Sequence, residues 1–591
     1  MRKGFCILLL ALASLQVHAA PKIAYFLSMD EPHTHYFEVR MTINGLKQPY
    51  TDVKMPVWTP GSYLIREYAK NVEGFTASAG KNPLKSEKTN KNTWRIYGDN
   101  ANEITVQYRV YAFEISVRTA FLDASHGYVQ PAAVFMYVAG QLGTPATLTV
   151  KPYREWTQLS TGLSPAGKDK WMLAVPNFDI LVDSPLEIGN QKIVTFTALG
   201  IPHSVALYGT GNYDERQLAE DMGKIVEQAG KVVGENPNKD YTFIIHNLPG
   251  NAGGGLEHLN STTLQVGRWG YESNYTGFLT LVAHEYFHLW NVKRIRPKAL
   301  GPFDYDNENY TNMLWVSEGI TSYYEDVITH RAGFTDSKEF LNTVAAAIGN
   351  TENAPGNQVQ PLAECSWDAW IKYYRPNENA NNSTVSYYTK GSIIGALLDL
   401  EIMQGTNGQK SLDDAMRLLY NEYYKQQNRG FTDMEFQQAI EKTAGKSMDA
   451  FFKNHVYGTQ QPDYDRYFGY AGLRLDKFTA DPQTAFLGAA TSLANGRLTV
   501  GNVRKGSAAY QYGLNVNDEI IAVDGYRVGD DFQQFVNRKK AGEKLTLLIS
   551  RAGMVQNLEV TLGSNPAISY RIERLPTPTA QQAELLKKWV R

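Results

Sequence analysis

The stretch FLTLVAHEYFH, residues 278–288, decides the fold of the region around it. Its apolar beginning predicts a buried helix, in which residues four apart stand on the same face. His284 and His288 can therefore bind one metal ion together, with Glu285 beside them. Paired imidazoles are typical ligands of zinc, and the adjacent carboxylate is placed to accept a proton from water. The alternative is a coincidental histidine pair on a core helix.

A third ligand is expected in LWVSEGITSYYE, residues 314–325. Catalytic zinc sites keep three protein ligands, and two histidines with one glutamate are a known set. Glu318 is the candidate, because its apolar neighbours do not suit an unpaired surface charge. The alternative is a solvated helix carboxylate. A zinc-bound histidine usually donates its other ring N–H to a carboxylate or carbonyl, and both Glu325 and Asp326 are possible acceptors.

These motifs resemble those of the gluzincin metallopeptidases, in which HExxH is followed by W-x-x-E-G and that glutamate is the third ligand. The long spacing to Glu318, together with HEYFHLWNVKRIRP at 284–297 and PGSYLIR at 60–66, resembles the glycyl aminopeptidase family, whose members carry a PDZ domain. The resemblance implies one zinc ion per chain and peptide substrates with a free N-terminus. It also implies a preference for small first residues, glycine or alanine.

The same resemblance assigns an oxyanion donor. Ser386–Gly391 is similar to the Y-x-K-G element of aminopeptidase N-like enzymes, whose tyrosine stabilises the oxyanion. That position is Tyr388 here, with Tyr387 as the next choice. Thr389 departs from those relatives, which often have glutamate there.

A second element of these relatives, G-x-M-E-N, is similar to Gly254-Gly255-Leu256-Glu257-His258. Its glutamate binds the substrate's N-terminus, so the resemblance gives Glu257 that role. Gly254 and Gly255 let the backbone approach the substrate as an edge strand. The alternative is a glycine-rich hairpin with a solvated glutamate.

The chain of 591 residues is too long for one core and predicts a multidomain α+β protein. Alternation at period two over residues 21–200 favours a β-sandwich-like N-terminal domain. Residues 201–460 have strands before the HExxH helix and helices after it, which matches a thermolysin-like catalytic domain with a helical second lobe. Residues 461–570 are expected to form a PDZ domain, and residues 571–591 a C-terminal tail.

The PDZ interpretation depends on the pattern GSAA followed by GLNVNDEIIAVDG, residues 506–525, which resembles that family. Such domains add a peptide to a sheet edge and bind its terminal carboxylate in a loop of backbone amides. Phe486-Leu487-Gly488 is the candidate loop. The alternative is a groove left empty or blocked by the chain itself.

Residues 1–20 are typical of a signal peptide, with Arg2 and Lys3, a short apolar run and small residues at its end. We therefore expect a secreted, periplasmic protein, with an uncleaved anchor as the alternative. No other segment is apolar for long enough to cross a bilayer. Cys365 is then the only cysteine of the mature chain, which excludes an intrachain disulfide.

The composition is that of a globular protein, with 43% hydrophobic and 20% charged residues. The net charge of −2 gives no electrostatic reason to expect nucleic acid or an anionic membrane as a partner. The sequence predicts a secreted zinc aminopeptidase. A PDZ-guided metalloendopeptidase is the first alternative, and a non-catalytic peptide-binding protein is the second.

Overall fold

The computed structural model describes residues 22–590, so the predicted signal peptide at residues 1–20 lies outside it. The N-terminal domain consists of three sheets around one apolar core. The largest has seven strands, in the spatial order Met172–Val175, Ala146–Lys151, Lys22–Ser28, Tyr36–Asn44, Glu103–Tyr111, Val72–Ala79 and Asn82–Pro83. Its central strands Tyr36–Asn44 and Glu103–Tyr111 alternate buried and more exposed residues, as the period-two pattern predicts.

Two smaller sheets of four strands complete this domain. One contains Gln158–Thr161, Leu186–Gly189, Gly127–Val129 and Phe121–Leu122, and the other contains Tyr137–Val138, Thr51–Lys54, Thr93–Ile96 and Ser86–Lys88. The loop after strand Thr51–Lys54 carries Gly61 and Tyr63 towards the catalytic domain. There Tyr63 packs edge-to-face on Trp370, with ring centroids 5.6 Å apart.

The catalytic domain begins with a mixed sheet of five strands, in the order Lys192–Ala198, Ile201–Tyr208, Tyr241–Leu248, Ser261–Gly267 and Gly255–Glu257. The last of these is antiparallel to its neighbour and lies at the edge of the sheet. Two long helices pack on the sheet and on each other, Glu215–Val233 and Tyr275–Phe287. The second contains the HExxH motif, and we call it the metal helix.

Helices dominate the second lobe, as the sequence predicts. They include Ile320–Arg331, Ser337–Glu352, Leu362–Trp367, Ala380–Ser383, Thr389–Gly405, Leu412–Leu419, Asp433–Ala444 and Tyr464–Tyr470. Three π-helical segments, Trp315–Gly319, Tyr420–Gln426 and Phe452–Val456, lie between or at the ends of these helices. Both lobes share a single apolar core.

The predicted PDZ domain is inserted into a two-stranded ribbon. The chain leaves the catalytic domain along Leu473–Thr479 and returns along the antiparallel strand Ile568–Arg574. The main sheet of the inserted domain contains Ala489–Ala494, Arg497–Val503, Glu519–Val523, Lys544–Arg551 and Met554–Thr561, and its helices are Ala508–Gln511 and Phe532–Asn537. The candidate carboxylate loop, Phe486–Gly488, immediately precedes the edge strand Ala489–Ala494.

The segment expected from sequence as a C-terminal tail is integrated into the catalytic domain. Helix Ala580–Trp589 packs into the same core, where Trp589 is buried and its Nε1 donates to the Tyr323 hydroxyl at 2.9 Å. The apolar residues at positions 585, 586 and 589 form the buried face of this helix. Periodicity in the sequence does not show which part of the chain such a face packs against. Between residues 22 and 590, none of the helices combines the length and apolarity required to cross a membrane.

Candidate metal centre and peptide cleft

The metal helix brings His284 and His288 onto one face, with both imidazoles buried. The helix ends at Phe287, and His288 keeps helical dihedral angles as its C-cap residue, so the two rings stay one turn apart. Glu318 Oε2 lies 3.6 Å from Nε2 of His284 and 3.3 Å from Nε2 of His288. Ligands around tetrahedral zinc are separated by about 3.3 Å, given bonds of about 2.0–2.1 Å. The three donors therefore fit a zinc ion.

Another buried cluster contains His126, Glu187 and His246, but its geometry differs. Each carboxylate oxygen of Glu187 faces one imidazole, at 2.7 Å from His126 Nδ1 and 2.9 Å from His246 Nε2. These are hydrogen-bond lengths. The cluster joins the N-terminal domain to the catalytic sheet and takes no part in the metal centre.

Glu318 comes from the π-helical segment Trp315–Gly319, and short π-helical segments are frequent at functional sites. Asn291 stabilises this segment, since its Nδ2 donates to the carbonyls of Val316 at 2.8 Å and Ser317 at 3.3 Å. The carbonyl of Asn291 also accepts a hydrogen bond from His288 Nδ1 at 2.6 Å. One residue thus orients two candidate ligands, and no motif in the sequence predicts its role.

Glu325 is the carboxylate that faces the other ring. Its Oε2 accepts a hydrogen bond from Nδ1 of His284, which leaves Nε2 of that ring directed at Glu318. Asp326, the alternative in the sequence, forms no hydrogen bond or ion pair within the described residues. Neighbouring positions on a helix point about 100° apart, which is why only one of them reaches the ring.

Glu285 lies beside this centre against the edge strand. A β-carbon added at Gly255 would lie 2.2 Å from Glu285 Oε1, so the strand approaches the carboxylate as closely as only glycine allows. Burial raises the pKa of Glu285 to about 7, in spite of the imidazoles nearby. Burial also opposes ionisation of Glu318, but the charges of His288 and His284 outweigh it and lower its pKa to about 2.

Glu257 is buried on the same edge strand, two residues beyond Gly255. Its Oε1 has no hydrogen-bond partner among the described residues, and Glu285 Oε2 is unpartnered as well. One oxygen of Glu257, one oxygen of Glu285 and one ring nitrogen of His288 lie within 4.8 Å of one another. Burying a carboxylate without a hydrogen-bond partner costs free energy. We therefore expect Glu257 to bind a hydrogen-bond donor from outside the chain.

The N-terminal domain closes this end of the cleft. Gly61 has φ +87°, and a β-carbon there would lie 2.7 Å from Glu257 Oε2. Tyr374 donates to the carbonyl of Gly61 at 3.5 Å, which ties the loop to the second lobe. No local pattern in the PGSYLIR loop predicts that it reaches Glu257.

Two tyrosines lie near the metal centre. The ring of Tyr388 is nearly parallel to that of His284, with centroids 6.2 Å apart, and it stacks on Tyr387 at 4.7 Å. Tyr388 is half-buried at the beginning of helix Thr389–Gly405. The hydroxyl of Tyr387 is fully buried and has no partner within the described chain. The structure therefore brings both candidates to the site.

Three sequence profiles match the chain. They are the peptidase M61 N-terminal domain over residues 24–190, M61 glycyl aminopeptidase over 277–394 and the PDZ domain over 485–562. A crystal structure of an aminopeptidase N family protein from Idiomarina loihiensis is 31% identical and superposes with a TM-score of 0.89, covering 96% of this chain and 100% of that one. The chain belongs to the M61 glycyl aminopeptidase family. No curated protein matches it.

This M61 peptidase also resembles an M1 zinc metallopeptidase from Deinococcus radiodurans, at 13% identity and a TM-score of 0.49, over 75% of this chain and 94% of that one. Family membership confirms the expected zinc metallopeptidase class and aminopeptidase type. It also confirms the predicted architecture of a β-rich N-terminal domain, a peptidase domain and a PDZ domain.

Proposed function

We propose that this M61 peptidase removes single small residues, glycine or alanine, from the free N-termini of peptides outside the cytoplasm. The observation that carries the proposal is the buried, unpartnered carboxylate of Glu257 beside the metal centre. An ammonium group is the charge-complementary partner for it, and charge-assisted hydrogen bonds of this kind are strong. Because Gly61 lies against this carboxylate, little space remains for additional residues on the N-terminal side of the one whose amine is bound.

His284, His288 and Glu318 would hold one zinc ion per chain at this site. Bound zinc supplies positive charge that activates water and polarises the scissile carbonyl. Glu285 accepts a proton from the attacking water and passes it to the leaving amine, a role that contributes about 10²–10⁴-fold. Tyr388 donates a hydrogen bond to the carbonyl oxygen as negative charge develops there. Gly254 and Gly255 pair with the substrate backbone.

The PDZ domain is proposed as a second peptide contact. Its edge strand Ala489–Ala494 is mostly exposed, which suits addition of a peptide strand. Phe486, Leu487 and Gly488 would bind the terminal carboxylate of that peptide. Export is proposed from the signal-peptide pattern alone, at residues outside the described range.

The deciding experiment compares hydrolysis of free and N-acetylated Gly-Gly-Gly and Ala-Gly-Gly by the zinc-loaded protein. Glu257→Gln keeps the shape of the side chain but removes its charge, so we expect kcat/KM on free peptides to fall about 100-fold, mostly through KM. Glu227→Gln, on the exposed face of helix Glu215–Val233, is the matched control and should keep the wild-type rate.

Each outcome separates the alternatives. Equal hydrolysis of acetylated and free peptides would make the protein an endopeptidase and leave Glu257 without its role. A protein that binds no zinc and hydrolyses neither peptide would be a non-catalytic binding protein. Elemental analysis should give one zinc per chain for the wild-type protein and no bound zinc for His288→Ala.

A further inference from the structure

A cavity of about 470 Å³ lies between the first turns of the metal helix and the chain that precedes the edge strand. Gly277 and Leu281 line it and stand on the same face of the metal helix as Glu285, eight and four residues before it. At 1.5 Å per residue, Leu281 lies about 6 Å from Glu285 along the helix axis. The cavity therefore begins one to two helical turns from Glu285, on the same side of the metal helix.

The other wall of the cavity is the chain that leads into the edge strand. Gly254 accepts a hydrogen bond from the backbone of Gln265 at 2.9 Å, and Ala252 accepts one from Gly267 at 3.0 Å. The sheet edge therefore extends back to Ala252, about 10 Å from Gly255 at 3.3 Å per residue. Between them, Gly253 makes no backbone hydrogen bond to any described residue.

The direction of the substrate follows from its anchor. A peptide whose amine is held at Glu257 must run antiparallel to the edge strand in order to pass Gly255 and Glu285. The second and third residues of the peptide then lie progressively closer to Ala252. At the spacing of a strand, the second and third residues of the substrate come level with the cavity.

The chemistry of the cavity selects among side chains. None of its lining residues is charged, and Trp269 and Leu281 are the large apolar residues of the lining that are not buried. Trp269 is 65% exposed although it borders a cavity, so a large part of its ring is available for contact. Nε2 of Gln265, also in the lining, is buried without a hydrogen-bond partner among the described residues. A substrate carbonyl would satisfy that donor.

We propose that this cavity binds a large apolar or aromatic side chain of the second or third substrate residue, with Trp269 as the residue that sets the preference. The inference rests on the proposed aminopeptidase function, which fixes the amine at Glu257. Peptides with a small first residue followed by a bulky apolar residue are then the favoured substrate class. Ring-on-ring contact and burial of an aromatic side chain support a preference of about tenfold.

The test uses Gly-Gly-Gly, Gly-Phe-Gly and Gly-Gly-Phe with the full-length, zinc-loaded enzyme. We expect one phenylalanine peptide to have about tenfold higher kcat/KM than Gly-Gly-Gly. Trp269→Ala should reduce that ratio to about one, and Trp269→Phe should restore most of it. Trp367→Ala removes another exposed tryptophan, 44% exposed and outside the cavity lining, and should keep the wild-type ratio.

Peptide binding is measured separately from hydrolysis, so that the proposed side-chain preference of the cavity and the proposed aminopeptidase activity are tested independently. Calorimetric titration of Glu285→Gln protein should give about tenfold tighter binding of the favoured phenylalanine peptide, with that advantage lost in Trp269→Ala. Absence of hydrolysis with this binding pattern intact would contradict the proposed function alone. The proposed role of the cavity is overturned if the wild-type protein has a kcat/KM ratio near one. It is also overturned if a tenfold preference persists in Trp269→Ala.

Discussion

Gly61 of the N-terminal domain lies directly against the carboxylate of Glu257 in the catalytic domain. A β-carbon at residue 61 would lie 2.7 Å from Oε2 and 2.8 Å from Oε1 of that side chain. The N-terminal domain therefore forms one wall of the site. Its contact falls on the group that we propose binds the substrate amine.

Gly61→Ala should reduce catalytic efficiency on free Gly-peptides by at least about tenfold. The new methyl group would push against Glu257 and displace the carboxylate, and the residue would also be strained at φ +87°. Gly74→Ala is the matched control, since Gly74 has φ +63° but nothing within 4 Å of an added β-carbon. It should lose about 1 kcal/mol of stability and keep its activity. Similar activity losses in both variants would attribute the effect to backbone strain.

Gly255→Ala should abolish activity almost completely. Its β-carbon would lie 2.2 Å from Glu285 Oε1, so either the edge strand or the carboxylate must move. A misplacement of about 1 Å can cost about 100-fold in rate. Gly501→Ala provides a strand glycine for comparison, because its nearest contact would be at 3.9 Å. Steady-state kinetics and zinc content are measured together, and zinc retention with lost kcat is the expected result.

Much of the metal centre follows from local spacing. His284, Glu285 and His288 are fixed by one helix turn, and Glu318 by its motif, so the sequence predicts them together. The choice between Glu325 and Asp326 requires the orientation of a second helix relative to the first. Asn291 acts through contacts with the π-helical segment Trp315–Gly319. Gly61 acts through its contact with Glu257, which is remote in sequence. No local pattern encodes such contacts.

Tyr388→Phe and Tyr387→Phe should differ in their effects. If Tyr388 stabilises the developing oxyanion, its phenylalanine variant loses about 10²–10³-fold in kcat with little change in KM. The hydroxyl of Tyr387 is buried without a partner, so its removal should cost little stability and less than about tenfold in kcat. Single-turnover kinetics with Gly-Gly-Gly would isolate the chemical step. The reverse order of effects would transfer the role to Tyr387.

The inserted PDZ domain should be removable. Thr479 and Ile568 are paired at the end of the ribbon, so residues 480–567 can be replaced by Asn-Gly, which favours a two-residue hairpin turn. The excision loses few polar contacts, such as those of Asn382 with the carbonyl of Val503 at 2.8 Å and the backbone of Lys505 at 2.8 Å.

We expect the shortened protein to be folded and to keep its kcat/KM on Gly-Gly-Gly within about threefold, because the core of the catalytic domain lies on the other side of the ribbon. Trp589→Ala is the comparison, since it leaves a cavity in that core and should cost about 3–5 kcal/mol. Thermal unfolding followed by circular dichroism distinguishes the two variants. Greater destabilisation by the excision than by Trp589→Ala would mean that the PDZ domain is itself part of the stabilising core.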